Sequence, residues 1–198
     1  MPAPTEELKK AFPDVPDFLL YKWQRAYEKF FDTNESGEMD WGDSYLVNRR
    51  VRDIYGHDSK QTQLAKEKLK ALWQQLLKYA DDNKDKKISE TEWVKVFQDH
   101  DPKHAIEWYL DYATFMFKLF DVSEDGVMDL AEYADGMAAY GHDESEAHTA
   151  FHLFAVDSKG KAKEAIDWAE FHKLWDEYFY STDPKSLGNH LFGPLPSD

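Results

Sequence analysis

Apolar side chains recur at intervals of three and four residues along most of the chain, which is the spacing of one face of an α-helix. Three such stripes each precede a short polar segment: Leu19, Trp23, Ala26, Tyr27 and Phe30; Leu69, Leu72, Trp73, Leu76, Leu77 and Ala80; and Ile106, Tyr109, Leu110, Ala113, Phe117 and Phe120. A fourth region repeats the pattern with Ala147, Ala150, Phe151 and Phe154, and then with Trp168, Phe171, Leu174, Trp175 and Tyr178. The pattern predicts an all-α chain of amphipathic helices that are joined by polar loops.

The three polar segments share one spacing, in which oxygen-bearing side chains stand at positions 1, 3, 5 and 12 of a twelve-residue loop. The predicted metal ligands are Asp32, Asn34, Ser36, the Glu38 carbonyl and Asp43; Asp81, Asn83, Asp85, the Lys87 carbonyl and Glu92; and Asp121, Ser123, Asp125, the Val127 carbonyl and Glu132. This is the calcium loop of the EF-hand, a helix–loop–helix unit that surrounds Ca²⁺ with about six to eight oxygens. The sequence therefore predicts three Ca²⁺ sites.

The three loops differ in ways that matter to a cation. The third loop is complete, with Gly126 at the sharp turn of position 6 and Asp129 at position 9. The second loop carries Lys86 at position 6, where a left-handed backbone costs a non-glycine residue about 1–2 kcal/mol, so we expect a weakened site. The first loop ends in Asp43, which is one methylene shorter than glutamate and favours the six-oxygen geometry of Mg²⁺. We expect a mixed calcium and magnesium site there.

The fourth region lacks an acidic loop. If Ile166 is position 8 and Glu170 is position 12, then Lys159, Lys161 and Lys163 fall at positions 1, 3 and 5. Three ammonium groups at ligand positions predict a loop that binds no cation. Whether this basic patch is simply solvated or contacts an acidic partner stays open.

EF-hands work in pairs, which gives the domain organisation. The residues at position 8 are expected to meet as short antiparallel β-bridges between paired loops; they are Met39, Ile88, Met128 and Ile166. We divide the chain near Asp101-Pro102 into an N-terminal pair at 17–100 and a C-terminal pair at 101–180. An N-terminal arm at 1–16, with a short helix from Glu6 to Phe12, and a C-terminal tail at 181–198 complete the chain.

Charge narrows the partners. The 198 residues include 39 acidic and 24 basic side chains, a formal charge of −15. Such a charge disfavours nucleic acid and anionic membranes and favours calcium and magnesium ions. No stretch approaches the roughly 20 apolar residues of a membrane span, and the first residues lack the apolar core of a signal peptide. We expect a cytoplasmic protein that is a monomer or a weak dimer.

Catalytic chemistry has little support in the sequence. The chain has no cysteine, which removes thiolate nucleophiles, disulfides and iron–sulfur centres. The GxSxG and HExxH motifs are absent, and Pro102 separates His100 from His104, which spoils a regular helical pair. The sequence predicts that the protein is not an enzyme.

From about Asp17 to Leu195 the chain resembles the invertebrate sarcoplasmic calcium-binding proteins and their neuronal relatives, the calexcitins. The calexcitin-like segments are Leu72-Trp73, Lys78-Tyr79-Ala80-Asp81, Glu92-Trp93, Leu174-Trp175-Asp-Glu-Tyr178-Phe179 and Gly188-Asn-His-Leu-Phe-Gly193. The resemblance implies one compact globule of two EF-hand pairs packed face to face, with the tail folded back on their apolar interface. It also implies that an aspartate ending the first loop and a non-glycine residue at position 86 are tolerated.

Three functions follow from these features. The first is a calcium and magnesium buffer with three active sites and a dead fourth loop, because only five methionines are present, too few for the adaptable groove of a calcium sensor. The second, which the resemblance implies, is a calexcitin-like neuronal signalling protein that acts on a protein partner. The third and most remote is a relative of the luciferin-binding photoproteins, which share this fold class.

Overall fold

The computed structural model describes residues 3–99 and 107–196, and the structural statements below concern these residues. Helices α1 to α5 are Glu6–Ala11, Asp17–Ala26, Trp41–Tyr55, Lys60–Ala80 and Glu90–Gln98, and helices α6 to α9 are Glu107–Phe120, Leu130–Ala139, Glu144–Phe154 and Trp168–Tyr180. A π-helical turn, Tyr27–Phe31, extends α2, and a 3₁₀ turn, Leu187–His190, lies in the tail. The predicted all-α class is confirmed. The domain boundary near Asp101-Pro102, together with His100, His104 and Ile106, lies outside the described residues.

Four helix–loop–helix units follow one another: α2 with α3, α4 with α5, α6 with α7, and α8 with α9. Two antiparallel ribbons join them in pairs, β1 (Glu38–Met39) with β2 (Ile88–Ser89) and β3 (Val127–Asp129) with β4 (Ala165–Asp167). In register, Met39 faces Ile88 and Met128 faces Ile166, and all four side chains are buried. The predicted bridges between the residues at position 8 are therefore confirmed.

The helix that leaves each loop begins with a capping box, which the loop sequence itself encodes. The side chain at position 9 accepts a hydrogen bond from the backbone N–H at position 12, and the acid at position 12 accepts one in return. The four pairs are Asp40 with Asp43, Ser89 with Glu92, Asp129 with Glu132, and Asp167 with Glu170. The acids predicted at position 12 are thus fixed at helix N-termini.

The halves share one aromatic core. Trp23 Nε1 in the N-terminal pair donates to the Phe179 carbonyl in the C-terminal pair at 2.8 Å, and the rings of Phe97 and Phe179 stack with their centroids 4.7 Å apart. Phe192 in the tail packs between Phe30 and Tyr178, with ring centroids 4.6 and 4.5 Å away. Phe192 therefore contacts both pairs at their apolar interface.

A buried lysine fastens the tail. The Lys22 amino group, on α2, donates to the Glu177 and Ser181 carbonyls at 3.0 and 2.7 Å and to Asn189 Oδ1 at 3.0 Å. Burial lowers the pKa of Lys22 to about 7, and the charge of Glu177 raises it. Three acceptors match the three hydrogens of an ammonium group, so this geometry favours the charged form.

Among the described residues, no helix is both long enough and apolar enough to cross a membrane.

Candidate metal centres

The aspartate at position 1 organises each of the first three loops by accepting hydrogen bonds from backbone N–H groups further along. Asp32 accepts from Ser36 and Gly37 at 3.0 and 2.7 Å. The equivalent bonds run to Asp81 from Asp85 and Lys86 at 3.2 and 3.0 Å, and to Asp121 from Gly126 at 3.2 Å. The loop backbone therefore wraps around the carboxylate that is predicted to be the ligand at position 1.

The acid at position 12 closes each loop. One of its oxygens caps the leaving helix, and the other accepts a hydrogen bond from the backbone at the start of the loop. The second kind of bond joins Asp43 to Asn34 N at 3.0 Å, Glu92 to Asp82 N at 3.1 Å, and Glu132 to Ser123 N at 2.9 Å. The two ends of each loop are thus held together through the predicted bidentate ligand.

The remaining predicted ligands turn back on the same loops. Asn34 Oδ1 and Asn83 Oδ1 accept from the N–H two residues on, at 2.9 and 2.8 Å, and Asp85 and Asp125 accept in the same way at 2.8 and 3.0 Å. Ser36 Oγ donates to the Glu38 carbonyl at 2.8 Å, and Ser123 Oγ to Asp121 at 3.4 Å. Within the described ranges, no three His, Cys, Asp or Glu side chains are gathered closely enough to hold a metal ion. The backbone of each loop is formed, and the predicted ligand side chains are hydrogen-bonded within their own loops.

The first loop differs from the others in burial, which the sequence did not indicate. Asp32 and Asp43 are 4% and 2% exposed. Burial raises the pKa of the Asp43 carboxyl, whereas the N–H groups of Asp40 and Asn34 lower it. A buried carboxylate needs hydrogen bonds or a cation to keep its charge, and in this loop backbone N–H groups supply the hydrogen bonds.

Tyr27 positions the first two loops, although its spacing suggested only a core residue. It lies in the π-helical turn, where its hydroxyl donates to the Ile88 carbonyl at 2.7 Å and lies 3.2 Å from the Gly37 carbonyl oxygen. The same oxygen accepts from Met39 N at 3.1 Å. One side chain therefore connects the turn of the first loop to both strands of the ribbon.

Left-handed backbone occurs at two positions of the loops. At position 6, φ is +84° for Gly37, +67° for Lys86 and +86° for Gly126. The conformation predicted for Lys86 is therefore confirmed. Position 4 was not predicted to be left-handed, yet Glu35, Lys84 and Glu124 have φ of 57°, 62° and 59°. The second loop thus carries two lysines in a conformation that side chains disfavour.

Replacing Lys86 by glycine is expected to raise the unfolding free energy of the calcium-saturated chain by about 1 kcal/mol, because the left-handed strain disappears while the flexible glycine gives back part of the gain. Urea denaturation measures the change. Lys86→Gln is the matched control, since it removes the same charge and keeps the strain. An equal gain in both variants would assign the effect to charge and contradict the backbone explanation.

The fourth loop needs a correction. Helix α8 ends at Phe154, so the loop from Ala155 to Glu170 spans 16 residues, against 12 from Asp121 to Glu132. Counted from the entering helix, Ala155 rather than Lys159 takes position 1, and it has no ligand oxygen in its side chain. A bridge between Val156 and Ala162 folds the extra residues. The assignment of Lys159 to position 1 was wrong, because four inserted residues are invisible when positions are counted back from Glu170.

Lys163 supplies the second difference in this loop. Its ammonium forms an ion pair with Glu170, the acid that corresponds to Glu132 in the third loop. A tethered cation therefore lies against the carboxylate that a calcium ion would need.

The apolar core leaves little free space. The cavity among Phe30, Trp73, Trp108 and their neighbours has a volume of about 20 Å³, whereas pockets for small organic ligands usually measure about 300–1,000 Å³. The aromatic side chains fill the described core, which argues against a buried luciferin.

Four paired helix–loop–helix units, three of which carry oxygen-bearing side chains at matching loop positions, define the EF-hand class of calcium-binding proteins. The chain belongs to the calexcitin family within this class. It is 50% identical over 188 residues to Calexcitin-1 of Caenorhabditis elegans, covering 95% of this chain and 92% of that protein. The family resemblance read from the sequence is confirmed.

More distant relatives share the fold. The chain is 27% identical over 193 residues to sarcoplasmic calcium-binding proteins I, III and IV of Branchiostoma lanceolatum, covering 91% of this chain and 98% of theirs. A solved sarcoplasmic calcium-binding protein from amphioxus aligns with a TM-score of 0.72 at 22% identity, over 92% of this chain and 100% of that one. The calcium-loaded apo coelenterazine-binding protein of Renilla muelleri aligns with a TM-score of 0.62 at 21% identity, over 96% of this chain and 99% of that one. No family model matches the chain. These relationships bear out the prediction that the protein is not an enzyme.

Proposed function

We propose that the protein binds calcium at the first three loops through the ligands predicted from the sequence, and that the fourth loop binds no metal ion. One observation carries the proposal. In each of the first three loops the acid at position 12 is bonded both to its helix cap and to the start of the loop, whereas in the fourth the same acid is paired with Lys163. Competition from magnesium is strongest at the first loop, because Asp43 is short and buried.

We propose further that the protein is a buffer, which takes up calcium without a large opening of its helix pairs. A sensor needs an apolar groove that can be exposed, often one rich in methionine. Here Met116 and Met137 are 1% exposed and belong to the shared core, and Phe192 seals the interface between the pairs. Opening either pair would first have to displace the tail.

Calcium titration in the presence of a fluorescent dye that binds apolar surface tests the buffer proposal. The native chain is expected to show almost no rise in fluorescence between the magnesium-loaded and calcium-loaded states. Phe192→Ala, which loosens the tail, is the positive control and is expected to bind more dye. A large calcium-dependent rise in the native chain would instead support a sensor.

One observation favours the signalling alternative. A groove of about 920 Å³ lies between α7 and α8, with an apolar floor that includes Leu130, Ala134 and Phe151 and an acidic rim that includes Asp135 and Glu144. These properties suit a basic, amphipathic segment of a partner protein. Titration of a synthetic basic amphipathic helix would test it. Binding by the native chain that is lost in Ala134→Trp would support a partner, and weak binding unaffected by this change would count against one.

A further inference from the structure

A polar cavity lies beside the first loop, where α2, its π-helical turn and α3 meet the turn between α7 and α8. Its volume is about 330 Å³. The lining side chains are mostly charged, and they are contributed by both EF-hand pairs. They include the cations Arg25, Lys29 and Arg50, the ring of His142, and the acids Glu28, Asp32, Glu35, Asp143 and Glu146.

The three cations lack the partners that an acidic chain would be expected to offer. In the part of the chain that the structure describes, none of them forms an ion pair with a carboxylate. Arg25 Nη2 donates to the Phe192 and Pro194 carbonyls at 3.4 and 3.0 Å, but Arg25 Nε and Arg50 Nη1 are buried without a hydrogen-bond partner. Buried guanidinium N–H groups without acceptors are costly, and both residues line the cavity.

Arg50 packs closely against Gly141 at the cavity. Gly141 has φ of +94°, and a Cβ atom there would lie 2.8 Å from Arg50 Nη1. The guanidinium therefore lies directly against the backbone of the turn between α7 and α8, and it connects α3 to the C-terminal pair. The absence of a side chain at position 141 is what allows this approach.

The pKa of the His142 ring is lowered by the surroundings of the cavity. Its ring stacks on Phe30 with centroids 5.5 Å apart, and its Nε2 atom is buried without a partner. Burial lowers the pKa of His142 to about 4, and the charges of Arg25, Lys29 and Arg50 contribute to the same shift. The three cations therefore act on this ring, although five acids line the same cavity.

We propose that this cavity binds a small oxyanion of the phosphate class, which accepts hydrogen bonds from Arg25 and Arg50 and is neutralised in part by Lys29. Planar guanidinium groups suit the oxygens of such an ion, and a compact anion fits the available volume. The acids on the rim limit the affinity. The bound anion lies between the first helix–loop–helix unit and the turn that precedes the fourth unit, and so links the two pairs.

Titration calorimetry with inorganic phosphate tests the site, using the full chain in metal-free buffer of low ionic strength. The native chain is expected to bind one phosphate. Arg50→Gln is expected to weaken binding by about tenfold or more, since charge-assisted hydrogen bonds are lost. Arg49→Gln is the matched control, because Arg49 is the next residue on α3, is exposed, and is not among the residues that line the cavity. Equal weakening by both variants, or no binding to the native chain, would overturn the proposal.

A gain of affinity provides an independent readout that does not depend on disturbing Arg50. Glu146→Gln removes an acid from the rim of the cavity and is expected to tighten phosphate binding, whereas Glu144→Gln, on the same turn of α8, faces the α7–α8 groove and is expected to have a smaller effect. Equal effects of the two changes would contradict a local site.

Discussion

Replacing Glu132 by glutamine is expected to weaken calcium binding at the third loop by about 100-fold or more, the equivalent of roughly 3 kcal/mol. Bidentate ligation at position 12 requires two charged oxygens, and an amide supplies one uncharged oxygen. Glutamine still serves as the third residue of a capping box with Asp129, so α7 is expected to keep its N-terminus. The loss is therefore attributable to ligation and not to unfolding of the helix.

Calorimetry of calcium binding measures the change, and circular dichroism checks the helix content. Glu124→Gln is the matched control, because Glu124 lies in the same loop, at position 4, and pairs with Lys60 at 2.5 Å instead of facing the loop. The control is expected to keep the third site. If Glu132→Gln bound calcium as tightly as the native chain, the ligand set proposed for this loop would be wrong.

Removal of metal ions is expected to lower the free energy of unfolding by about 8 kcal/mol. The reference is the chain at a free calcium concentration about 100 times the dissociation constant of each site, where each of the three occupied sites contributes about 2.7 kcal/mol. Three ions raise the formal charge from −15 to −9, and without them the loop carboxylates repel one another. Asp43 adds to the effect in the first loop, because its carboxylate is buried.

Urea denaturation in chelator and in calcium measures this stabilisation. Glu132→Gln is expected to remove about a third of the calcium-dependent part, whereas Glu124→Gln is expected to leave it unchanged. A midpoint that is the same in chelator and in calcium would show that the loops do not couple metal binding to folding.

Local spacing carried most of the fold. The apolar stripes predicted the helices that flank each loop, and the position-8 residues predicted both ribbons, because ladder pairing and helical periodicity are set by short-range geometry. The capping boxes that fix Asp43, Glu92 and Glu132 follow from the same short segments.

Features that depend on insertions or on contacts between distant segments could not be predicted from the sequence. The four extra residues of the fourth loop could not be counted until the end of α8 at Phe154 was known. Other features depend on segments that are far apart in the chain. They are the burial of Asp43, the hydrogen bond from Tyr27 to Ile88, and the packing of Arg50 against Gly141. No spacing rule within a single loop contains that information.

We propose that three loops bind calcium and that the fourth is closed by Lys163, which is paired with Glu170. Calorimetric titration of the metal-free chain with calcium, repeated in millimolar magnesium, counts the occupied loops. We predict three bound calcium ions, with magnesium weakening the first loop most, as resolved by comparison with Asp43→Asn. Two ions would contradict the assignment of the first or second loop, and four would contradict the inference that Lys163 and the four inserted residues keep the last loop free of metal.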